Sequence, residues 1–377
     1  MIIGVDGNEA NVAIKVGIGE YAYQLLMQLS NFKLPISNYQ FQIYLKEKPR
    51  DDMPKESETW QYRIVKPATL WTQIGLPFDL YTHIPRPDVF FTPTHYAPRF
   101  SSIPTVISIM DVSYIHFPHL FNKKDLYQLQ NWTKYSVKNA KKILTISEAS
   151  KRDIIRLYDI SEDRVVVTYP GLKKTYSNSP LLMNVLQEKY MISGTYILFV
   201  GTLQPRKNIE KLIEAFSHVV TSHTDLKLVI VGKQGWQYEN IVKAPKKFHI
   251  EESVLFVSYV PDEELATFYK NALCFVLPSL YEGFGLPVLE AMAYDCPVIT
   301  STVSSLPEAG GDAALYVDPE SVDDIAMKIT EVVANPSLRA TMIEKGKKQV
   351  KKFSWEKTAK ETFAVLQAVV EEKKYAG

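Results

Sequence analysis

Cys274-Phe275-Val276-Leu277-Pro278-Ser279-Leu280-Tyr281-Glu282-Gly283-Phe284-Gly285-Leu286-Pro287-Val288-Leu289-Glu290 reads as a strand, a loop and a helix start in immediate succession. Cys274 to Leu277 is a short continuous apolar run, the pattern of a strand buried on both faces. Turn formers fill 278–285, and Pro287 suits the first helical position, where no amide hydrogen is needed. A strand that passes through a tight loop into a helix is the repeating unit of a parallel sheet. The helix start then presents its free amide groups at the carboxyl end of the strand.

The same unit recurs along the chain. Strand-like runs at 2–6, 41–45, 63–66, 89–92, 106–110, 143–146 and 165–168 alternate with helical patterns at 18–29, 123–139 and 148–157, the last with Ser147 as N-cap. The alternation restarts with strands at 196–200, 227–231, 254–257, 274–277, 298–300 and 315–317 and helices at 208–220, 262–271, 287–294 and 322–333. Between the halves, 171–180 is polar and turn-forming and ends in Ser177-Asn178-Ser179-Pro180, which marks a linker. The fold class is therefore α/β. Two doubly wound parallel-sheet domains, 1–175 and 180–354, are expected to face a cleft at their strand ends. A last helix at 354–373 carries Phe363, Val365, Leu366 and Val369 on one face and needs a surface to bury it.

The totals agree. A chain of 377 residues exceeds one ordinary core and fits two domains. Lys and Arg number 43 against 42 Asp and Glu, a net charge of +1, which argues against a bulk nucleic-acid binder. The two cysteines, Cys274 and Cys296, lie in or beside apolar runs and read as buried reduced thiols rather than a redox or metal pair. Met1-Ile2-Ile3-Gly4-Val5-Asp6 begins directly as a strand, and no apolar run reaches membrane-spanning length. The expectation is a cytoplasmic protein, with peripheral membrane contact left open.

The chemistry-bearing residues cluster at strand ends. Glu282 and Glu290 flank the Gly283-Phe284-Gly285 turn. The glycines expose backbone, the helix start offers amide donors to an anion, and the carboxylates accept from hydroxyls. A nucleotide-sugar needs all three, with Glu290 on a ribose diol and Glu282 nearer the sugar. Taken singly, each residue also fits a plain turn or a carboxylate that complements a helix dipole. Val200-Gly201-Thr202-Leu203-Gln204-Pro205-Arg206-Lys207-Asn208 repeats the strand, glycine and helix start. Arg206 and Lys207 would there neutralise a departing diphosphate, the work a metal ion does in other transferases; a solvated basic pair is the competing reading.

In the first half, Gly17-Ile18-Gly19 opens a helix and could bring backbone close to a phosphate or sugar, but it lacks the dinucleotide fingerprint, which excludes a nicotinamide reading. Asp111, after Met110, could orient an acceptor hydroxyl or cap a turn, and His95 could hydrogen-bond substrate from another strand end. His116-Phe117-Pro118-His119 only mimics a zinc-ligand pair, because Pro118 breaks a helix there and no cysteine lies near. Trp71, Tyr81, Phe100, Tyr127 and Trp132, with Lys123, Lys124, Lys138, Lys141 and Lys142, fit either contact with anionic lipid headgroups or an ordinary core with a solvated helix face.

Glu282-Gly283-Phe284-Gly285-Leu286-Pro287-Val288-Leu289-Glu290 resembles the Glu-x7-Glu signature of the retaining family 4 glycosyltransferases of GT-B fold. Gly201 to Asn208 resembles the family's phosphate-binding loop. Val231-Gly232-Lys233-Gln234-Gly235-Trp236, Ser304-Ser305-Leu306-Pro307-Glu308 and Phe353-Ser354-Trp355-Glu356-Lys357 resemble further segments, so the likeness covers essentially the whole chain. It is strongest to bacterial mannosyltransferase-like members that build O-antigen, capsule or exopolysaccharide. The resemblance implies two Rossmann-like domains, the nucleotide held by the second, and a helix at 355–377 that crosses back onto the first. Lys207, Arg206, Glu282 and Asp111 would be catalytic. Glu290, Gly283, Phe284, Gly285, Leu286, Gly201, Thr202 and Lys233 would line the donor, and Gly17, Gly19 and His95 the first domain's wall.

The implied activity is transfer of a sugar, best assigned as mannose from GDP-mannose, to a hydroxyl of a glycan or lipid-linked glycan, with no metal and no cofactor. A disaccharide or storage-sugar synthase of the same fold and an inactive nucleotide-sugar binder are the alternatives. Two positions depart from the family pattern: Thr202 stands where many members have Arg, and Met110 where close relatives have His.

Overall fold

The computed structural model describes residues 1–32, 39–173 and 183–375. The chain forms two compact units, Met1–Gly171 with Ser354–Gly377, and Leu172–Phe353. Of the expected linker, residues 174–180 lie outside the described residues.

The first unit is one seven-stranded sheet. Its strands are β1 (Ile2–Asp6), β2 (Gln40–Leu45), β3 (Trp60–Ile64), β4 (Val89–Thr92), β5 (Thr105–Ser108), β6 (Lys142–Thr145) and β7 (Val165–Val167). Their order is β3-β2-β1-β4-β5-β6-β7, with every neighbour parallel. Ile3 sits between Phe41 and Val89 in register. Helices cover both faces, so the central strands carry no polar alternation; every residue of β4 and β5 is buried.

The second unit is a six-stranded sheet of β8 (Tyr196–Val200), β9 (Lys227–Val231), β10 (Val254–Val257), β11 (Cys274–Leu277), β12 (Val298–Ser301) and β13 (Ala314–Val317). Its order is β10-β9-β8-β11-β12-β13, again all parallel. In each unit the strand order reverses beside the first strand, at β1/β4 and at β8/β11. The loops that leave the two strands diverge to opposite faces there and open a crevice at the carboxyl ends.

The final helix, Trp355–Tyr375, belongs to the first unit. Trp355, Phe363, Leu366 and Val369 join a core that holds Tyr21, Leu25, Phe41 and Val5. Trp355 meets Tyr21 edge-on at 5.7 Å. Each large side chain buried this way contributes about 1.5–3 kcal/mol. Cys274 and Cys296 are buried free thiols, and burial pushes Cys274 up to about 12.

Several elements differ from the sequence reading. The strand expected at 63–66 runs from Trp60 to Ile64, because Trp60 packs against Phe41 on β2 at 5.3 Å. It is an edge strand whose mixed Gln61, Tyr62, Arg63 face hid its start. A π turn, Trp71–Gly75, continues into a helix, Leu76–Thr82, that was not anticipated. Helices Glu239–Lys247 and Pro336–Val350 were also missed. The first contains Pro245, which reads as a helix breaker, and the second buries only Met342, Gly346 and Gln349. No helix among the described residues is long and apolar enough to cross a membrane.

Candidate active site

The second unit's reversal point gathers the residues singled out by the sequence. The loop after β8 carries Gly201, Thr202, Arg206 and Lys207; the loop after β11 carries Glu282 and the two glycines. Arg206 and Lys207 do not sit on the helix as expected. They lie on a single 3-10 turn, Pro205–Lys207, and the helix begins at Ile209. The turn ends at Asn208, whose left-handed backbone (φ 60°) redirects the chain into that helix. Its side-chain amide donates to Pro278 O at 3.0 Å and to Pro319 O at 2.7 Å. One side chain thus clamps the loops that follow β8, β11 and β13.

Glu282 is the hub. Lys207 Nζ lies 2.6 Å from its Oε1 and Arg206 Nη1 3.2 Å from its Oε2. Ser279 Oγ donates to Oε1 at 2.7 Å. Arg206 also donates to the Tyr281 carbonyl. Ser304 Oγ accepts from the Glu282 amide at 2.9 Å, and Ser305 Oγ donates to its carbonyl at 2.8 Å. The three charged side chains are all mostly buried, Glu282 at 8% exposure. Burial alone would raise the Glu282 carboxyl, but Lys207 and Arg206 more than offset it and hold it at about 2. The cluster carries one net positive charge, two cations against one carboxylate, in a largely dehydrated pocket where such charge acts strongly.

Gly285, at φ 98°, ends the loop and starts the helix Leu286–Ala293, one residue earlier than Pro287 suggested. Glu290 lies in that helix and accepts from the Tyr269 hydroxyl at 3.1 Å. Tyr269 stacks on Tyr294 at 5.8 Å with the rings 10° apart. Gly283 is buried, and Leu286 is half-buried at the first helical position. The Phe284 ring is buried against Phe353 at 5.3 Å. Thr202 is exposed. Lys233 is exposed over the Tyr259 ring, its Nζ 4.6 Å from the centroid. Both line, or adjoin through Leu203, a pocket of about 530 Å³ at the ends of β9 and β10. There Gly232 is forced: a Cβ would lie 1.9 Å from the Gly201 carbonyl oxygen.

In the first unit, Gly17 (φ 53°) caps the helix Ile18–Ser30 with open space around it, whereas a Cβ on Gly19 would press to 3.0 Å on the Glu9 carbonyl. Asp111 accepts from the Ser113 amide at 2.8 Å, the turn-capping geometry. Met110 packs against the core. His95 ends β4's loop with Nδ1 buried and without a hydrogen-bond partner; burial lowers the ring to about 4, partly offset by Asp111. His116 Nε2 lies 3.2 Å from Asp153.

Asp6, at the end of β1, was missed. Burial raises its carboxyl to about 6 although Asn8 donates to it from both backbone (3.0 Å) and side chain (2.6 Å). Asp6-Gly7-Asn8 directly after an apolar strand was the available signal. Tyr269, Ser279, Ser304 and Asn208 were missed as supporting groups because they act through other residues, which spacing does not reveal.

Comparison with known proteins follows the same division. Residues 192–349 match the model "Glycosyl transferases group 1" and 17–175 match "Glycosyltransferase Family 4". O-antigen chain mannosyltransferase B of Escherichia coli is 36% identical over 261 residues, covering 68% of each chain. The chain belongs to the family 4 glycosyltransferases of GT-B fold. Another relative of this glycosyltransferase, the serotype-specific mannosyltransferase WbdA of Escherichia coli, is 30% identical over 223 residues; the match covers 58% of this chain and 27% of WbdA. Among solved structures, HepE of Anabaena in complex with UDP and glucose superposes with a TM-score of 0.74 at 16% identity, covering 97% of this chain and 99% of that one.

Proposed function

We propose that this glycosyltransferase moves mannose from GDP-mannose to a hydroxyl of a cell-surface glycan, carried on a lipid, with retention of configuration and without a metal ion. The observation that carries the reading is the buried pair of cations, Arg206 and Lys207, on one carboxylate at the reversal point of the second sheet. Such a site suits a diphosphate, which it neutralises as the bond to the sugar breaks. Glu290 is assigned to the ribose diol and Glu282 to the sugar and to the orientation of Lys207. Acceptor binding is assigned to the first unit, with Asp111 and His95 as hydrogen-bonding groups. The named mannosyltransferase relatives support the sugar, and the nucleotide complex of HepE supports the donor class.

The acceptor hydroxyl attacks the anomeric carbon from the face that the diphosphate leaves. The carbon–oxygen bond to the diphosphate breaks, the new glycosidic bond forms, and the hydroxyl proton passes to the departing phosphate oxygen. The protein's share is orientation and charge stabilisation. The test is a panel of nucleotide-sugars with lipid-linked and soluble acceptors in the presence of a chelator, with the anomeric configuration of the product read by NMR. An inverted product, a requirement for added divalent cation, or no turnover with any sugar nucleotide would each overturn the corresponding part.

A further inference from the structure

The surface element Trp71–Thr82, a π turn that runs into an α-helix, carries apolar side chains on its outer face as well as its inner one, and Leu70 and Ile84 flank it. Its buried side holds Trp71, Leu76 and Leu80 against Tyr44 and Phe90. Its solvent side shows Leu70 (53% exposed), Ile74 (53%), Phe78 (68%) and Tyr81 (47%), spaced as one helical stripe, followed by Ile84 at 80%. Phe100, at 76% exposure, joins the start of the helix because Arg99 donates its amide to the Thr72 carbonyl. Asp79 is the only charged residue from Trp71 to Thr82, and Arg63 holds it in a bidentate ion pair. A helix without solvated charge on its outer face has its stable place against another surface.

The rim says which surface. Lys66 precedes the helix and is exposed, Arg86 donates to the Tyr81 carbonyl at its end, and Arg99 stacks on Tyr135 beside Phe100. Asp79 is neutralised by Arg63, while Asp88 accepts from the Ile2 amide and Glu56 from the Tyr62 amide, so the cations Lys66, Arg86 and Arg99 outnumber the two carboxylates that keep their charge. A two-fold pairing of this face with a second copy would set cations against cations. An anionic bilayer instead accepts the apolar stripe at its acyl boundary and the cations at its headgroups.

We infer that the Trp71–Thr82 helix, with the flanking Leu70 and Ile84 and with Phe100, is the element that seats this enzyme on an anionic lipid surface. Of the aromatic residues first considered for such contact, Trp71 is core, at 2% exposure, while Tyr81, Phe100 and Tyr127 are exposed. The inference deepens the reading of a lipid-linked acceptor. It is tested without donor or turnover, so its failure leaves the transfer reaction standing.

The experiment is sedimentation of the whole protein with phosphatidylcholine vesicles containing or lacking phosphatidylglycerol. The wild type should bind only the anionic vesicles and weaken as salt rises. Ile74→Ser/Phe78→Ser should lower the partition by at least about tenfold. Lys66→Glu/Arg86→Glu should lower it by about fivefold or more per charge. The melting temperature and the oligomeric state should stay unchanged in both variants. Equal binding to neutral vesicles, no binding to either, unaltered binding by the variants, or a wild-type dimer that Ile74→Ser/Phe78→Ser dissociates would overturn the inference.

Discussion

Replacing Lys207 by Met removes a buried cation with little loss of volume, and the structure gives the size of the consequence. Glu282 is held at about 2 against an ordinary 4.5, with Lys207 the largest of the influences that lower it. That depression is worth ~3 kcal/mol, at 1.36 kcal/mol per unit. The folded-state value lies below the unfolded one, so this stability is present above about pH 4.5 and is lost as pH falls through about 2. Arg206 at 3.2 Å and Ser279 at 2.7 Å remain, so the variant should lose most of the ~3 kcal/mol but not all. A drop in Tm of roughly 5–10 °C at pH 7 is expected, shrinking below about pH 4.5. Turnover at saturating donor should fall by about 10²–10³.

The double variant Lys207→Met/Glu282→Gln separates stability from catalysis. It leaves no unpaired carboxylate, so the melting temperature should recover most of its loss while turnover stays low. Thermal melts across pH and initial rates at saturating donor decide the matter. Near-normal turnover in the single variant, or turnover that returns together with stability in the double variant, would refute a phosphate role for Lys207 and leave the pair structural.

Asp6→Asn should stabilise the protein by up to about 3 kcal/mol at pH 8, because the folded carboxyl is raised to about 6 and its charge is costly there. That cost builds between about pH 4 and 6, is fully present above about 6 and is absent below about 4, so the gain measured in chemical denaturation should vanish in acid. Tyr269→Phe keeps the stack on Tyr294 but removes the hydroxyl that donates to Glu290. A bond to a charged acceptor is worth about 1.5–3 kcal/mol, so the donor KM should rise by about tenfold or more with kcat nearly unchanged; a fall confined to kcat would contradict a ribose role for Glu290. Gly232→Ala drives a Cβ to 1.9 Å from the Gly201 carbonyl, so the loop after β8 must move. Donor affinity by calorimetry should drop by more than tenfold, and wild-type affinity would show that the loop's position does not matter.

The fold was legible because its central strands are plain. Ile2–Asp6, Val89–Thr92, Tyr196–Val200 and Cys274–Leu277 are continuous apolar runs with one natural reading, and both sheets reverse beside them. The edges were less legible: β3 shows a half-polar face, and its start is fixed by the Trp60–Phe41 contact, a long-range event. At the site, local sequence put Arg206, Lys207 and Glu282 at strand ends, but their ion pairs join residues about 75 positions apart. The same holds for the helix Trp71 to Thr82 and its flanks. Its residues look like core in the sequence, and only the packed structure shows which half of them faces outward.

The two reversal points solve opposite electrostatic problems with the same topology. In the second unit, two cations surround a carboxylate that stays ionised far into acid, and the balance left over is positive. That balance favours a polyanion and makes the site's strength depend on charge. In the first unit, the groups at the strand ends are driven toward neutrality instead. Burial raises Asp6 to about 6 and lowers His95 to about 4, and the His95 ring is therefore uncharged at neutral pH. Asp6 stays mostly ionised at neutral pH, so the first unit offers a neutral ring and a carboxylate acceptor rather than paired cations, a set that suits hydroxyl donors better than a polyanion. This difference supports the division of labour proposed here, with the diphosphate on the second unit and glycan hydroxyls on the first. It implies that raising ionic strength should weaken donor binding more than acceptor binding.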